Sequence, residues 1–579
     1  MIVARALLCL ATFLVPGTLG FKTLNRASYT RLPTSINSNG ADVFQGINYA
    51  AADGAAYDHI NYIIYVIGTR NRLLHAIDVA NPSSPLRILT HQFTEHEGNP
   101  QAVDVCGGRL AVALSAHVDV LEGHVQFFDV VARGSSVTDI HPDHTLAVGA
   151  HPKDLKHTPN CNMVLVANEG RPGKDDTNQY LNPEGSITVI VIDRNNDPTL
   201  RTIDFQQFNE GEANFNQNIR TPSRYIPKSV YSGTTTVAQD IEPESVVISN
   251  DGRYAWVTLL ENDAVATLDL RTYQVTKVSP LPKKLWDTSP VDCSDLDGGV
   301  HRRTYAGLKS MRQPGKITLL QIGSKNYLIT ADVGGVTSYT SALHGFTWTD
   351  TITARSLVNS LMPDLVELKT QMTDNGFLGR LQVSTIEGNS LFDPRYTHVE
   401  MFGGRGFSVW DSTNMAAPTF DSEGTLEEYM DSYYHFLFNT DYAANRATTG
   451  SPANDRDTSS ENQGAFVSGL DVMEDNGTVY MVAGTHGPGT LFLYMLNTVS
   501  TQPIPEFQSI TRSGESEDIW NTLYTNKQLG DLRISDIGMI PSNQSPTGRP
   551  LVFVTATGSG SLGLYEIIDS TPIIPIVST

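Results

Sequence analysis

One pattern of strands recurs along most of the chain. A short β-rich run, a turn and a second run are followed by an aliphatic or aromatic pair that closes on an acidic residue. It appears in Tyr62-Ile-Ile-Tyr-Val-Ile-Gly with Leu74-His-Ala-Ile-Asp78, and in Gly108-Arg-Leu-Ala-Val-Ala-Leu with Val125-Gln-Phe-Phe-Asp129. It returns in Met163-Val-Leu-Val-Ala with Ile187-Thr-Val-Ile-Val-Ile-Asp193, and in Tyr254-Ala-Trp-Val-Thr-Leu with Ala264-Val-Ala-Thr-Leu-Asp269. Tyr327-Leu-Ile-Thr-Ala, Phe407-Ser-Val-Trp-Asp411, Val479-Tyr-Met-Val-Ala and Leu551-Val-Phe-Val-Thr continue it. Such runs, rich in Val, Ile, Tyr and Phe and bounded by Gly, Asn, Asp and Pro, are strand and hairpin chemistry. A single core stops growing near ~250–300 residues, but a repeat escapes that limit. The repeat therefore predicts an all-β, seven-bladed β-propeller, with eight blades as the alternative count. Loops and short helices are inserted on one rim, all within a single domain over 21–579.

Two stretches break the pattern. Residues 354–369 place apolar side chains at helical spacing, interrupted by Pro363. Residues 440–464, rich in Asn, Asp, Ser, Thr and Gly, read as a long mobile loop.

Arg5, the apolar run Ala6–Val15 and the small residues Thr18-Leu19-Gly20 read as a cleavable signal peptide over 1–20. The C-terminal segment Thr571–Thr579 is apolar but too short for the tail of a lipid-anchor signal, and it carries two prolines. A secreted chain without a membrane anchor is the expectation. Its formal charge of −22 becomes −23 once Arg5 is removed. Such a surface repels nucleic acid and anionic lipid, and it attracts cations and basic partners. Loss of Cys9 leaves Cys106, Cys161 and Cys293. In an oxidising compartment these make at most one disulfide. Cys161–Cys293 is preferred because both lie in polar loop-like sequence, and Cys106, between two strands, reads as a buried thiol. Asn476-Gly-Thr and Asn543-Gln-Ser are glycosylation sequons; the first sits in a hairpin-turn sequence, and Pro546 disfavours the second.

Several multi-residue motifs carry a family resemblance. They are Leu165-Val-Ala-Asn-Glu-Gly-Arg-Pro172, Asn182-Pro-Glu-Gly-Ser186, Ala238-Gln-Asp-Ile-Glu-Pro-Glu244, Ala255-Trp-Val-Thr-Leu-Leu-Glu-Asn-Asp-Ala264, Asp292-Cys-Ser-Asp-Leu-Asp-Gly-Gly299 and Phe402-Gly-Gly-Arg-Gly-Phe-Ser-Val-Trp-Asp411. Residues from about 98 to 569 resemble the mesenchyme-specific cell-surface glycoproteins of mineralised skeletons and their bacterial choice-of-anchor propeller relatives. The resemblance implies a propeller in an extracellular matrix, associated with calcium-mineral deposition. Mineral surface or other matrix proteins would be its partners. Later copies of the acidic motifs are degraded: Ala331-Asp-Val-Gly-Gly335 keeps Asp332 but lacks the Glu, and Ala465-Phe-Val-Ser-Gly469, Arg533-Ile-Ser-Asp536 and Ala556-Thr-Gly-Ser559 have replaced others.

Innermost strands of a propeller line a channel, so Asp154, Glu169, Glu242, Glu244 and Glu261 could converge there with Asn168 and Asn262. Calcium takes ~6–8 such oxygen donors, and the same residues could instead cap turns and pair with arginines. Asp292-x-x-Asp295-x-Asp297-Gly298 resembles half of a calcium loop but lacks the downstream Glu, position 303 being Arg. Arg405 could set a guanidinium in the channel, with a structural ion pair as its alternative use.

Nucleophile-elbow, zinc-protease and phosphate-loop motifs are absent. The 15 histidines are scattered, and His151, His301 and His486 lie near the motifs without an evident partner. A non-enzymatic calcium- or matrix-binding protein is the reading these features favour. One alternative is a calcium-dependent, phytase-like phosphoester hydrolase with Arg302 or Arg303 gripping phosphate. The other is an adhesion module that binds a partner through its inserts.

Overall fold

A computed structural model of the chain describes residues 20–193, 196–228, 234–341, 346–390, 393–498 and 502–571. All but the last residue of the signal-peptide segment and all but the first of the C-terminal segment lie outside them. Among the described residues there are seven four-stranded antiparallel sheets. Their innermost strands are Gly54–Asp58, Asn99–Cys106, Pro152–His157, Pro243–Ile248, Lys316–Ile322, Val467–Asp475 and Ile534–Ile540, and the sheets are numbered 1 to 7 in that order. Each innermost strand touches the next, and the seventh returns to the first, so the sheets close a ring about one axis. This is a β-propeller.

Burial explains the sequence pattern. The second strand of each sheet is covered on both faces by neighbouring sheets, which is why Ile63–Gly68 and Leu551–Ala556 are buried throughout and read as unbroken apolar runs. Outermost strands face solvent and turn polar, as in Pro198–Asp204. Asn476 and Gly477 hold positive φ in the turn that joins the first two strands of sheet 6, the hairpin geometry that Asn-Gly supplies with little strain. Sheet 7 takes its outermost strand from the other end of the chain: Phe21–Arg31 pairs antiparallel with Ser561–Ser570.

The two faces of the ring differ. On one, which we call the hairpin face, most turns are short. On the other, the long connections accumulate: 32–53, 205–242, 281–315, 333–405, 422–466 and 513–533. Part of this insert face forms its own five-stranded mixed sheet, whose strand Leu308–Ser310 runs parallel to Val399–Met401. Trp286, Tyr305, Leu381 and Met401 pack beneath it with helices Ala354–Leu357 and Val366–Thr373. Those two helices fall where helical spacing was read over 354–369, with Pro363 between them. Residues 440–464 differ from the open loop expected of their composition. They form packed turns in which Asp455 is buried, pairs with Arg446 and accepts the Trp520 indole N–H at 2.6 Å. Polar composition had hidden this packing because its hydrogen-bond partners are themselves polar.

Candidate functional site

Two β-bulges start the site. Innermost strands 3 and 4 each slip register just after a proline, between Pro152 and Asp154 and between Pro243 and Val246. A bulge re-aims its extra residue. Here Lys153 and Glu244 face each other, Nζ to Oε1, at 3.4 Å.

Around them the insert-face turns of sheets 3 and 4 supply three more carboxylates. Glu169 follows the second strand of sheet 3, and its N–H donates to the His151 carbonyl at 2.9 Å. Gly170 then takes φ +70°, where a Cβ would strike the backbone of Glu184 at 2.6 Å. Glu242 lies between the capped helical turn Val237–Asp240 and strand Pro243–Ile248. Its N–H donates to Asn262 Oδ1 at 3.1 Å, while Asn262 Nδ2 donates to the carbonyls of Arg220 and Asp240. Asn262 thereby locks the neighbouring Glu261 turn onto Glu242. One oxygen each from Glu169, Glu242 and Glu261 lies within 4.8 Å of the other two. Tyr339, from the insert of sheet 5, donates to Glu242 Oε1 at 3.4 Å.

The charges here are imperfectly balanced. Burial, then the adjacent Glu261 and Glu169, pushes Glu242 well above the usual carboxylate range. Burial, then Glu169 and Glu244, raises Glu261 to about 8. Burial also raises Glu244, against the pull of Lys153. Glu169 goes the other way: burial opposes its charge, but Lys153, His151 and Arg171 together outweigh burial and hold it below the ordinary value. The Oε2 atoms of Glu169 and Glu261 are buried with no hydrogen-bond partner. Hard oxygen donors crowded together with unused lone pairs suit a divalent cation.

Other predicted residues go elsewhere. Asn168 is buried and uses its amide N–H groups on Ser186 and Thr188, inside sheet 3 rather than in the channel. Asp295 accepts a two-point contact from Arg380, at 2.6 and 2.7 Å. Asp297 Oδ2 accepts from Arg303 at 2.8 Å, and Asp292 accepts the N–H groups of Ser294 and His301. These three carboxylates are thus held by arginines and backbone, and Arg303 is held by Asp297. Arg302 stands 3.8 Å from Glu428.

Arg405 requires a correction. It is not a channel residue: it lies buried in the insert face, donating to Glu427 Oε1 at 3.0 Å, to the Ser460 carbonyl at 2.6 Å and to the Asp292 carbonyl. A second correction concerns the disulfide, which joins Cys106 to Cys161 with Cα atoms 5.5 Å apart. The strand end of sheet 2 meets the hairpin of sheet 3 on the hairpin face, whereas Cys293 is buried, unpaired, beneath the insert sheet. Asn476 and Asn543 are both exposed on the hairpin face, away from the carboxylates, and Asn476 Nδ2 reaches Ser542 Oγ at 3.1 Å.

The channel itself encloses a cavity of about 330 Å³ lined by all seven innermost strands. Its aspartates hold sheets together. Asp104 accepts the N–H of His157, Asp154 that of Val246, Asp471 that of Met539 and Asp536 that of Ala55, each time from the next sheet around the ring. Sequence reading placed Asp154 in the channel but missed this recurrence. An Asp inside each of these innermost-strand sequences was the available signal.

Comparison with known proteins agrees with the motifs. The chain is 32% identical over 194 residues to Gigasin-3a of Magallana gigas, covering 33% of this chain and 66% of that protein. It is 23% identical over 384 residues to the mesenchyme-specific cell surface glycoprotein of Strongylocentrotus purpuratus, covering 63% and 46%. The chain thus spans two thirds or less of these relatives' lengths. Among solved structures, the WD40 domain of Toxoplasma gondii coronin superposes with a TM-score of 0.42 at 10% identity, covering 96% of this chain and 90% of that one. The Cps50 (Swd1) β-propeller domain of Myceliophteria thermophila gives 0.42 at 8%, covering 94% and 100%. The choice-of-anchor I domain model matches residues 53–499, and on that span, which is most of the ring, the chain belongs to the choice-of-anchor I domain family.

Proposed function

We propose that this chain is a seven-bladed, non-enzymatic protein of the extracellular matrix that binds calcium on its insert face, where it meets mineral or another matrix protein. The observation that carries the calcium reading is the meeting of Glu169, Glu242 and Glu261 oxygens within 4.8 Å of one another. Glu244 stands beside them, and backbone carbonyls and water would complete the ~6–8 oxygens that calcium takes. The extracellular reading is supported by the signal-like N-terminal sequence, by the disulfide between sheets 2 and 3, and by relatives named as a cell surface glycoprotein and a gigasin. No helix among the described residues is long and apolar enough to cross a membrane. The hydrolase alternative draws little support, because the carboxylates of Asp295 and Asp297 already neutralise arginines.

Calcium titration by calorimetry tests the proposal. Binding is expected in the native chain, and it should be lost in Glu242→Gln and in Glu261→Gln but kept in Asp295→Ala. Equal heats in all four proteins would place the ion elsewhere, and no heat at millimolar calcium would end the calcium reading.

A further inference from the structure

Next to the carboxylate cluster the insert face holds a hollow that nothing so far has used. Its volume is about 450 Å³, within the ~300–1,000 Å³ usual for small-molecule sites. Residues of four segments line it: 217–225, 262–263, 280–283 and 386–389. The charges around it are spent on one another. Arg220 is buried, donates to the Glu261 carbonyl at 2.6 Å and to Glu387 Oε1 at 3.1 Å, and pairs with Asp350. Lys283 Nζ lies 3.1 Å from Asp263 and 3.2 Å from Glu400. Both cations are thus taken, and the four carboxylates outnumber them. An anion entering the cavity meets paired positive charges and a surplus of negative ones.

The groups left over are neutral. The amide side chains of Gln217, Asn218 and Asn389 are exposed and make no hydrogen bond with any described residue. Tyr225, 55% exposed, adds an aromatic ring to the wall, and Pro280, Pro282 and Ile386 add aliphatic surface. Amides both donate and accept, and an aromatic face takes C–H groups. Together they match a sugar ring, which carries hydroxyls around its edge and C–H groups on its face. We infer that this cavity binds an uncharged saccharide, one or two units of a neutral glycan, with Tyr225 against the C–H face and the three amides on the hydroxyls. This goes beyond the cation reading and does not depend on it, since Glu169, Glu242 and Glu261 are not among the lining residues.

The test titrates the folded native chain, without added calcium, with lactose, cellobiose and N,N′-diacetylchitobiose, and in parallel with a sulfated heparin disaccharide. Saturation-transfer NMR and calorimetry read the binding. At least one neutral disaccharide should bind, and the heparin disaccharide should not. Affinity should fall about tenfold or more in Tyr225→Ala and about threefold to tenfold in Asn389→Ala, for the loss of a stacking ring and of one hydrogen bond. Both positions are exposed, so both variants should fold, which circular dichroism checks. Glu242→Gln, which removes calcium binding under the cation reading, should leave saccharide binding unchanged. Failure of all three neutral sugars to bind, affinity unaltered in both variants, or preference for the sulfated sugar would overturn the inference and leave the calcium reading standing. Loss of saccharide binding in Glu242→Gln would move the sugar to the carboxylate cluster and overturn it as well.

Discussion

The Asp154 carboxylate, on the innermost strand of sheet 3, accepts the backbone N–H of Val246 on the innermost strand of sheet 4 at 3.0 Å, and the Ser245 hydroxyl at 2.9 Å. Similar bonds from Asp104, Asp471 and Asp536 make these aspartates staples between sheets. Asp154→Ala should therefore strand a buried N–H and destabilise the chain by about 2–3 kcal/mol. Asp154→Asn, which can still accept from Val246, should cost less. Urea denaturation compares the two, and equal losses would mean that the charge rather than the accepted N–H matters.

The Cys106–Cys161 bridge ties neighbouring sheets and closes a loop with a sequence separation of 55. Replacing both cysteines by serine should lower stability by about 2–4 kcal/mol, measured as the shift in the urea midpoint. Cys293 is buried, and burial pushes its thiol up to about 12. It should resist alkylation in the folded chain and react in denaturant, which mass spectrometry reads directly.

Glu261 gives the acidic cluster a pH signature. Its pKa rises from an ordinary 4.5 to about 8 on folding, first through burial and then through Glu169 and Glu244. The folded chain therefore holds a proton that the unfolded chain releases. The associated stability is complete below about pH 4.5 and disappears as pH rises through about 8. Native protein should lose stability relative to Glu261→Gln across that window, with the difference largest above about pH 8. Added cation should reverse the loss and release protons on binding. A wild-type-minus-variant stability difference that is flat with pH would contradict the shift.

Arg405 and Glu427 form a pair with side chains only 1% exposed each. Removing one partner leaves the other's charge buried and uncompensated, so Glu427→Gln should cost about 3–5 kcal/mol. The double variant Arg405→Met/Glu427→Leu should recover part of that loss in thermal denaturation.

Legibility in the sequence tracked the range of the interactions involved. The doubly buried second strands announce themselves locally, since every residue of Ile63–Gly68 is buried and most are β-branched. Glu169, Glu242 and Glu261 were expected inside the channel, but they meet at the insert-face turns of sheets 3 and 4, and none of them lines the channel cavity. The fates of Asp295 and Arg405 were not readable. Their partners, Arg380 and Glu427, come from inserts whose course the repeat does not determine. The disulfide was misread for a related reason. Loop-like composition says that a cysteine is near the surface, not which neighbouring hairpin it will face. His151 gave only proximity to a motif. Its relation to Glu169 depends on a left-handed backbone turn that no composition signals.

The shared seventh sheet has a consequence for how the chain is made. Strand Phe21–Arg31 emerges well before its partner Ser561–Ser570 in synthesis. At ~5–20 residues per second the wait is on the order of a minute. During that time the early strand is an unpaired edge, open to association with any other extended segment. Lys22, Arg26 and Arg31 along it supply the charges that discourage such encounters. The late strand thus completes the ring and covers the edge that the early one had left open.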